Sequence, residues 1–226
     1  LSRELGKISE ESRQSAMSDA SGFKTLVEQL GKAVKGSSEY NDILSKIQSK
    51  YGEYIGNIRN EADAYSYLKN NIDSVTEALK NKNMEQARQR GMSAISEEFL
   101  EKKSESSKKA VDRASELLGL SKESAKQLIG IISNDISNGM ATALTQGYDK
   151  AVEYISNKAK EAGIEIKIKI GDGNNIFGVE TLGGAASLVD YLRDLYTYTA
   201  QEEKAVKDLN DTLNTTFGNF TPYGIE

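Results

Sequence analysis

Leu68, Ile72, Val75 and Leu79 stand at steps of four, three and four, and this spacing constrains the fold more than any other feature of the chain. At 3.6 residues per turn it gathers the four side chains into one narrow stripe, with Lys69, Asn70, Asn71, Asp73, Ser74, Glu77 and Lys80 around it. A helix so polar outside its stripe must lean on a partner to remain helical. The same step recurs near the other end, through Leu188, Leu192, Leu195, Thr199, Glu202, Val206, Leu209 and Leu213. That is about four heptads of a coiled-coil seam, softened in the middle by Thr199 and Glu202. Its apolar members, Leu188, Leu192, Leu195, Val206, Leu209 and Leu213, form the candidate interaction seam.

Composition narrows the choice further. The 226 residues suffice for one or two domains, but only 38% are apolar and 7% aromatic, which argues against a thick globule. With 28% charged residues, no tryptophan and a single proline, Pro222, the balance suits an extended helical protein better than an α/β enzyme. The 29 basic residues are interspersed among 34 acidic ones, for a net charge of -5, so no concentrated positive surface for nucleic acid is visible.

The absences also bear on chemistry. Without cysteine there are no disulfides, thiolate nucleophiles or thiolate metal sites; without histidine the usual zinc sites and the commonest general base are missing. Adjacent carboxylates such as Glu10-Glu11, Glu97-Glu98 and Glu202-Glu203 diverge by about 100 degrees on a helix and read as surface charge. The serines around Ser104, Ser106 and Ser107 sit in no glycine elbow. No catalytic residue, cofactor site or metal site is assigned. No run approaches the ~18 apolar residues of a membrane span, and the first residues do not form a signal peptide. A start at Leu1 reads as a piece cut from a longer protein.

Along the chain, Leu1, Leu5 and Ile8 suggest the tail of a helix, with Ser12 and Ser15 next in its seam; a separate short helix is predicted over 22–34 from Phe23, Leu26, Val27, Leu30 and Val34. Ser37 or Ser38 caps another, carrying Tyr40, Ile43, Leu44 and Ile47 and stopping near Lys50, where Gly52 and Gly56 weaken continuation. A long helix is predicted from Glu61, with Asn60 as its cap. Its seam nearly vanishes in EKKSESSKK, residues 101–109, which reads as either a solvated rod or a flexible joint. Gly119 closes that element and Ser121 opens the next. Residues 121–162 form the least polar portion and read as two helices or one bent helix.

The period then changes. Ile164, Ile166, Ile168 and Ile170 alternate with charged residues, the pattern of a strand with one buried face. Residues 171–175, GDGNN, make a turn, and 176–180 supply a returning strand. A phosphate loop would need a helix start after the glycines, and a calcium loop a longer run of spaced oxygens, so a plain hairpin turn is the better reading. Tyr191, Tyr196 and Tyr198 extend the packing beside the leucine seam or offer a stacking surface to a ligand. The segments are thus 1–60, N-terminal helices and a Tyr/Gly connector; 61–162, a long-helix region; 163–181, a β-hairpin; 182–213, the heptad helix; and 214–226, an irregular tail. The fold class is mainly α, an elongated multi-helix, coiled-coil-like hairpin bundle with one small β-hairpin.

The connector carries a resemblance. Tyr51-Gly52-Glu53-Tyr54-Ile55-Gly56-Asn57-Ile58, followed by an acidic helix start and a helix with Ile72 and Leu79 on its seam, resembles a segment of bacteriophage tail tape measure proteins, prophage copies included. The similarity covers residues 40–99. It implies a structural protein that sets tail length during tail assembly, partnered by the tail tube, tail chaperone or baseplate proteins and prone to self-association. It also implies residence in the phage tail of the virion, and in the bacterial cytoplasm during assembly. A fully helical chain of this size would extend roughly 340 Å. The rival reading is a helical protein–protein interaction module of a bacterial secreted or injected protein, binding along the same seams.

Overall fold

The computed structural model describes residues 1–58, 62–135, 145–166, 179–218 and 220. Among them there are seven helices and no strand: α1 (Ser2–Lys32), α2 (Ser38–Ile55), α3 (Ala64–Asn70), α4 (Ile72–Leu118), α5 (Lys122–Asn134), α6 (Tyr148–Glu161) and α7 (Val179–Gly218). The protein is mainly α. It divides into two compact units, one made of residues 1–94 and 206–226 and the other of residues 95–205.

In the first unit, α1 is one unbroken helix where two were expected. Small residues carry the seam across the gap, for Ser12, Ala16 and Ala20 are buried between Ile8 and Phe23 while Ser15 is exposed. Gly22 costs helix propensity but allows a close approach, since a β-carbon there would lie 3.1 Å from the Tyr51 hydroxyl. Ser37 caps α2, its hydroxyl accepting from the Tyr40 N–H at 3.1 Å. That helix runs past Lys50 to Ile55, because Tyr51 and Ile55 are both core residues and Gly52 is absorbed inside it. It ends at Gly56, whose φ of 69° suits a residue without a β-carbon.

The predicted single helix from Glu61 is also corrected. Asp63 caps a seven-residue α3, accepting from the Ser66 N–H, and α4 begins only at Ile72 after a break at Asn71. The expected cap, Asn60, lies outside the described residues. Phe23, Val27 and Leu30 of α1 meet Tyr40, Ile43, Ile47, Tyr51 and Ile55 of α2 in a core that Ile58, Leu68, Val75 and Leu79 complete. Phe23 and Tyr51 meet edge to face at 5.0 Å, a favoured aromatic geometry.

In the second unit, the polar stretch 101–109 resolves into helix. Ser106 and Ala110 are buried there, small side chains that hold the seam while the flanking lysines and glutamates stay wet. Leu118 ends α4 in a glycine-terminated turn: Gly119 has φ 61° and the Leu120 N–H reaches back to the Ser115 carbonyl at 3.1 Å. Ser121 caps α5 through the Ser124 N–H. The described residues of 121–162 include the helices α5 and α6, and Gly163, with φ 70°, closes α6 as Gly119 closes α4. The core combines Ala110, Ala114 and Leu118 of α4, Leu128, Ile129 and Ile132 of α5, Ala151, Ile155 and Ala159 of α6, and Leu188, Val189, Leu192 and Leu195 of α7.

Most of the predicted hairpin, 167–178, lies outside the described residues. Ile164 and Ile166 are described, form no strand and pack half-buried on this core. The returning strand expected at 176–180 is corrected at its end, since Val179 already belongs to α7. That helix also extends past Leu213 to Gly218, so the start of the supposed irregular tail is helical, with Phe217 buried.

Candidate interaction site

The candidate seam faces inward. Leu188, Leu192 and Leu195 are buried in the core of the second unit, and Leu209 and Leu213, both 0% exposed, are buried in the first. Val206 is half-buried. Contacts within a single chain therefore already cover five of the six residues expected to meet a partner. The soft middle of the seam is filled rather than open: Glu202 pairs with Lys103 of α4 at 3.1 Å, and the Thr199 hydroxyl donates to the Leu195 carbonyl at 2.8 Å. Both charged side chains of that pair are about one-third exposed, which limits its worth to under about 1 kcal/mol.

What lets α7 approach α4 in the first unit is Gly91. A β-carbon there would stand 2.6 Å from Cδ1 and 2.7 Å from Cδ2 of Leu209. Nearby, the Arg88 Nε donates to the Asn210 side-chain oxygen at 3.2 Å. The sequence offered one signal for this contact, a glycine in the middle of a long helical pattern with no cap chemistry around it.

The tyrosine-bearing connector is a built corner. Its centre is Gln48: the amide nitrogen donates to the Gly56 carbonyl and the amide oxygen accepts from the Ile58 N–H, both at 2.9 Å. The Tyr67 hydroxyl donates to the Ile55 carbonyl at 3.0 Å, meeting one of the last carbonyls of α2, which have no partner inside the helix. The Tyr51 hydroxyl donates to the Asp19 carbonyl of α1, also at 3.0 Å. Burial raises the Tyr51 pKa above the ordinary phenol range, opposed by the charge of Lys50. These contacts tie the end of α2 to α1 and to the start of the next helix.

The other polar groups are dispersed. Glu10 is held below the usual carboxylate range by its hydrogen bond from Arg13, Glu98 by Lys102 and Glu53 by Lys82. In the second unit the Tyr154 hydroxyl donates to Asp135, which Lys158 approaches at 3.5 Å; burial first, then the carboxylate, drives the phenol upward, the wrong direction for a base at neutral pH. Tyr191 and Tyr196 pack half-buried against the core. Lys109 lies over the Tyr191 ring and Lys102 over that of Tyr198, each at 5.9 Å. No group of three or more Asp and Glu that could hold a metal occurs among the described residues, and no helix there is long and apolar enough to cross a membrane. No family model matches the chain, and no curated protein or solved structure matches it either.

Proposed function

We propose that this chain is a structural part of a phage tail tape measure protein, acting through packing and through the fixed rise of its helices and not through catalysis. The observation that carries this reading is α4, 47 residues of unbroken helix that persist through the polar stretch 101–109. At 1.5 Å per residue it spans about 70 Å, a length written directly in residue number. The resemblance over residues 40–99 falls on α2, α3 and the first half of α4. Its partners on this reading are the tail tube, tail chaperone or baseplate proteins, and it resides in the virion tail after assembly in the bacterial cytoplasm.

The test is genetic. Removing four heptads from α4 in frame, in a phage carrying this chain, should shorten its tails by about 40 Å under electron microscopy. Tails of unchanged length would contradict the reading.

A second reading is favoured by one observation, the two separate hydrophobic cores. A ruler needs no such cores, whereas a helical interaction module of a secreted or injected bacterial protein does. On that reading the same deletion leaves tails unaltered and abolishes folding of the second unit.

A further inference from the structure

A groove of about 460 Å³ runs between α4 and α5 in the second unit. Ser104, Lys108 and Asp112 line it from α4 at successive steps of four, with Ser107 beside them, and Lys122 and Lys126 line it from α5 one turn apart. Val111 forms an apolar portion of its lining. Asp112 neutralises Lys122 at 2.7 Å. Lys108 and Lys126, both exposed, take part in no ion pair among the described residues, so the groove keeps two positive charges on a chain whose net charge is -5. Glu105, three residues before Lys108 on α4, is engaged by Lys109 at 3.0 Å.

We propose that this groove docks an acidic peptide segment of a partner protein, independently of whether that partner belongs to a phage tail. Two lysines on separate helices offer separate cationic partners to two carboxylates of one segment, where a single small anion would use one of them. The hydroxyls of Ser104 and Ser107 add donors to carboxylate oxygens. A long polyanion such as nucleic acid would run from this local site onto a chain of net charge -5, so a short acidic segment is the fitting ligand. The volume accommodates a few side chains, and the groove is partly open to solvent.

The test uses the full chain and a fluorescein-labelled helical peptide carrying glutamates four residues apart, followed by anisotropy. Binding should weaken at least tenfold in the double variant Lys108→Glu/Lys126→Glu. A control of equal charge change on exposed lysines of the first unit, Lys46→Glu/Lys207→Glu, should change it less than twofold. Circular dichroism of both variants must match the wild type, and if the groove variant unfolds, Lys108→Gln/Lys126→Gln replaces it with the same expected loss. Equal weakening in both double variants would overturn the proposal, as would no binding by the wild-type chain at millimolar peptide. Displacement of the peptide by inorganic phosphate at matched ionic strength would also overturn it, by assigning the groove to small anions.

Discussion

Gly91 of α4 receives the side chain of Leu209 of α7 so closely that a β-carbon at position 91 would stand 2.6 Å from Leu209 Cδ1. Helix propensity alone favours alanine over glycine in a helix interior by about 1 kcal/mol, whereas overpacking a fitted contact costs about 1–3 kcal/mol. Gly91→Ala should therefore fail to stabilise the wild-type chain. In a Leu209→Ala background the space opens, and the same substitution should become stabilising by about 1 kcal/mol. Urea unfolding of the four variants checks this change of sign; additive effects would mean that the two residues do not touch.

Gln48 gives a second expectation. Gln48→Leu keeps side-chain bulk but leaves the Ile58 N–H and Gly56 carbonyl without their partner, and Ile58 is fully buried. An unsatisfied buried polar group costs about 1–3 kcal/mol, so the variant should lose about 2 kcal/mol and show faster amide exchange at residues 56–58. Tyr67→Phe, which removes one part-buried hydrogen bond to the end of α2, should lose about 1 kcal/mol. A larger loss for Tyr67→Phe than for Gln48→Leu would mean that the corner is held by the tyrosine.

Acid should loosen α3 before the rest of the first unit. The Ser66 N–H, and then its hydroxyl, hold the Asp63 carboxyl below its ordinary value. A lowered folded-state pKa gives stabilisation that is complete above the unfolded value and is lost as pH falls through the folded one. The protection of amides 64–70, as exchange relative to the intrinsic rate at each pH, should fall below about pH 4 in the wild type. In Asp63→Asn, which keeps a capping oxygen but cannot titrate in this range, that acid-dependent loss of protection should disappear. The same acid dependence in both proteins would remove Asp63 as its source.

The helix class and several boundaries were legible in the sequence because their causes are local. Ser37 and Ser121 cap helices with hydroxyls placed three residues before the N–H groups they accept from, and Gly119 terminates α4 in the left-handed conformation that glycine reaches without steric cost. Gly22, read as the start of a separate helix, and Gly52, read as a weak point, instead lie inside helices, since tertiary packing outweighs a propensity cost of about 1 kcal/mol. The continuation of the first seam beyond Ser12 through Ala16 and Ala20, and the seam through Ser106 and Ala110, were hidden because small residues carry little hydrophobic signal although they bury well. The break between α3 and α4 escaped a reading in which the four-three step from Leu68 to Ile72 continues unaltered.

The leucine stripe was legible as a stripe, but its direction was not. Periodicity says that Leu188 through Leu213 share a helix face; it cannot say whether another part of the same chain or a second molecule covers that face. Here Leu118, Leu128 and Ile155 share a core with Leu192, and Gly91 stands against Leu209. The same cause lets stripes that looked too thin for a globule supply two cores.

Sedimentation equilibrium of the wild type and Leu209→Lys, run beside their thermal melts, tests most directly whether the stripe serves the inside of a single chain. A lysine at this fully buried position should lower the melting temperature by roughly 10 °C or more, while both proteins keep the single-chain mass from micromolar to hundred-micromolar concentration. A wild-type dimer that tightens with concentration, and that Leu209→Lys dissociates into a stably folded monomer, would contradict it.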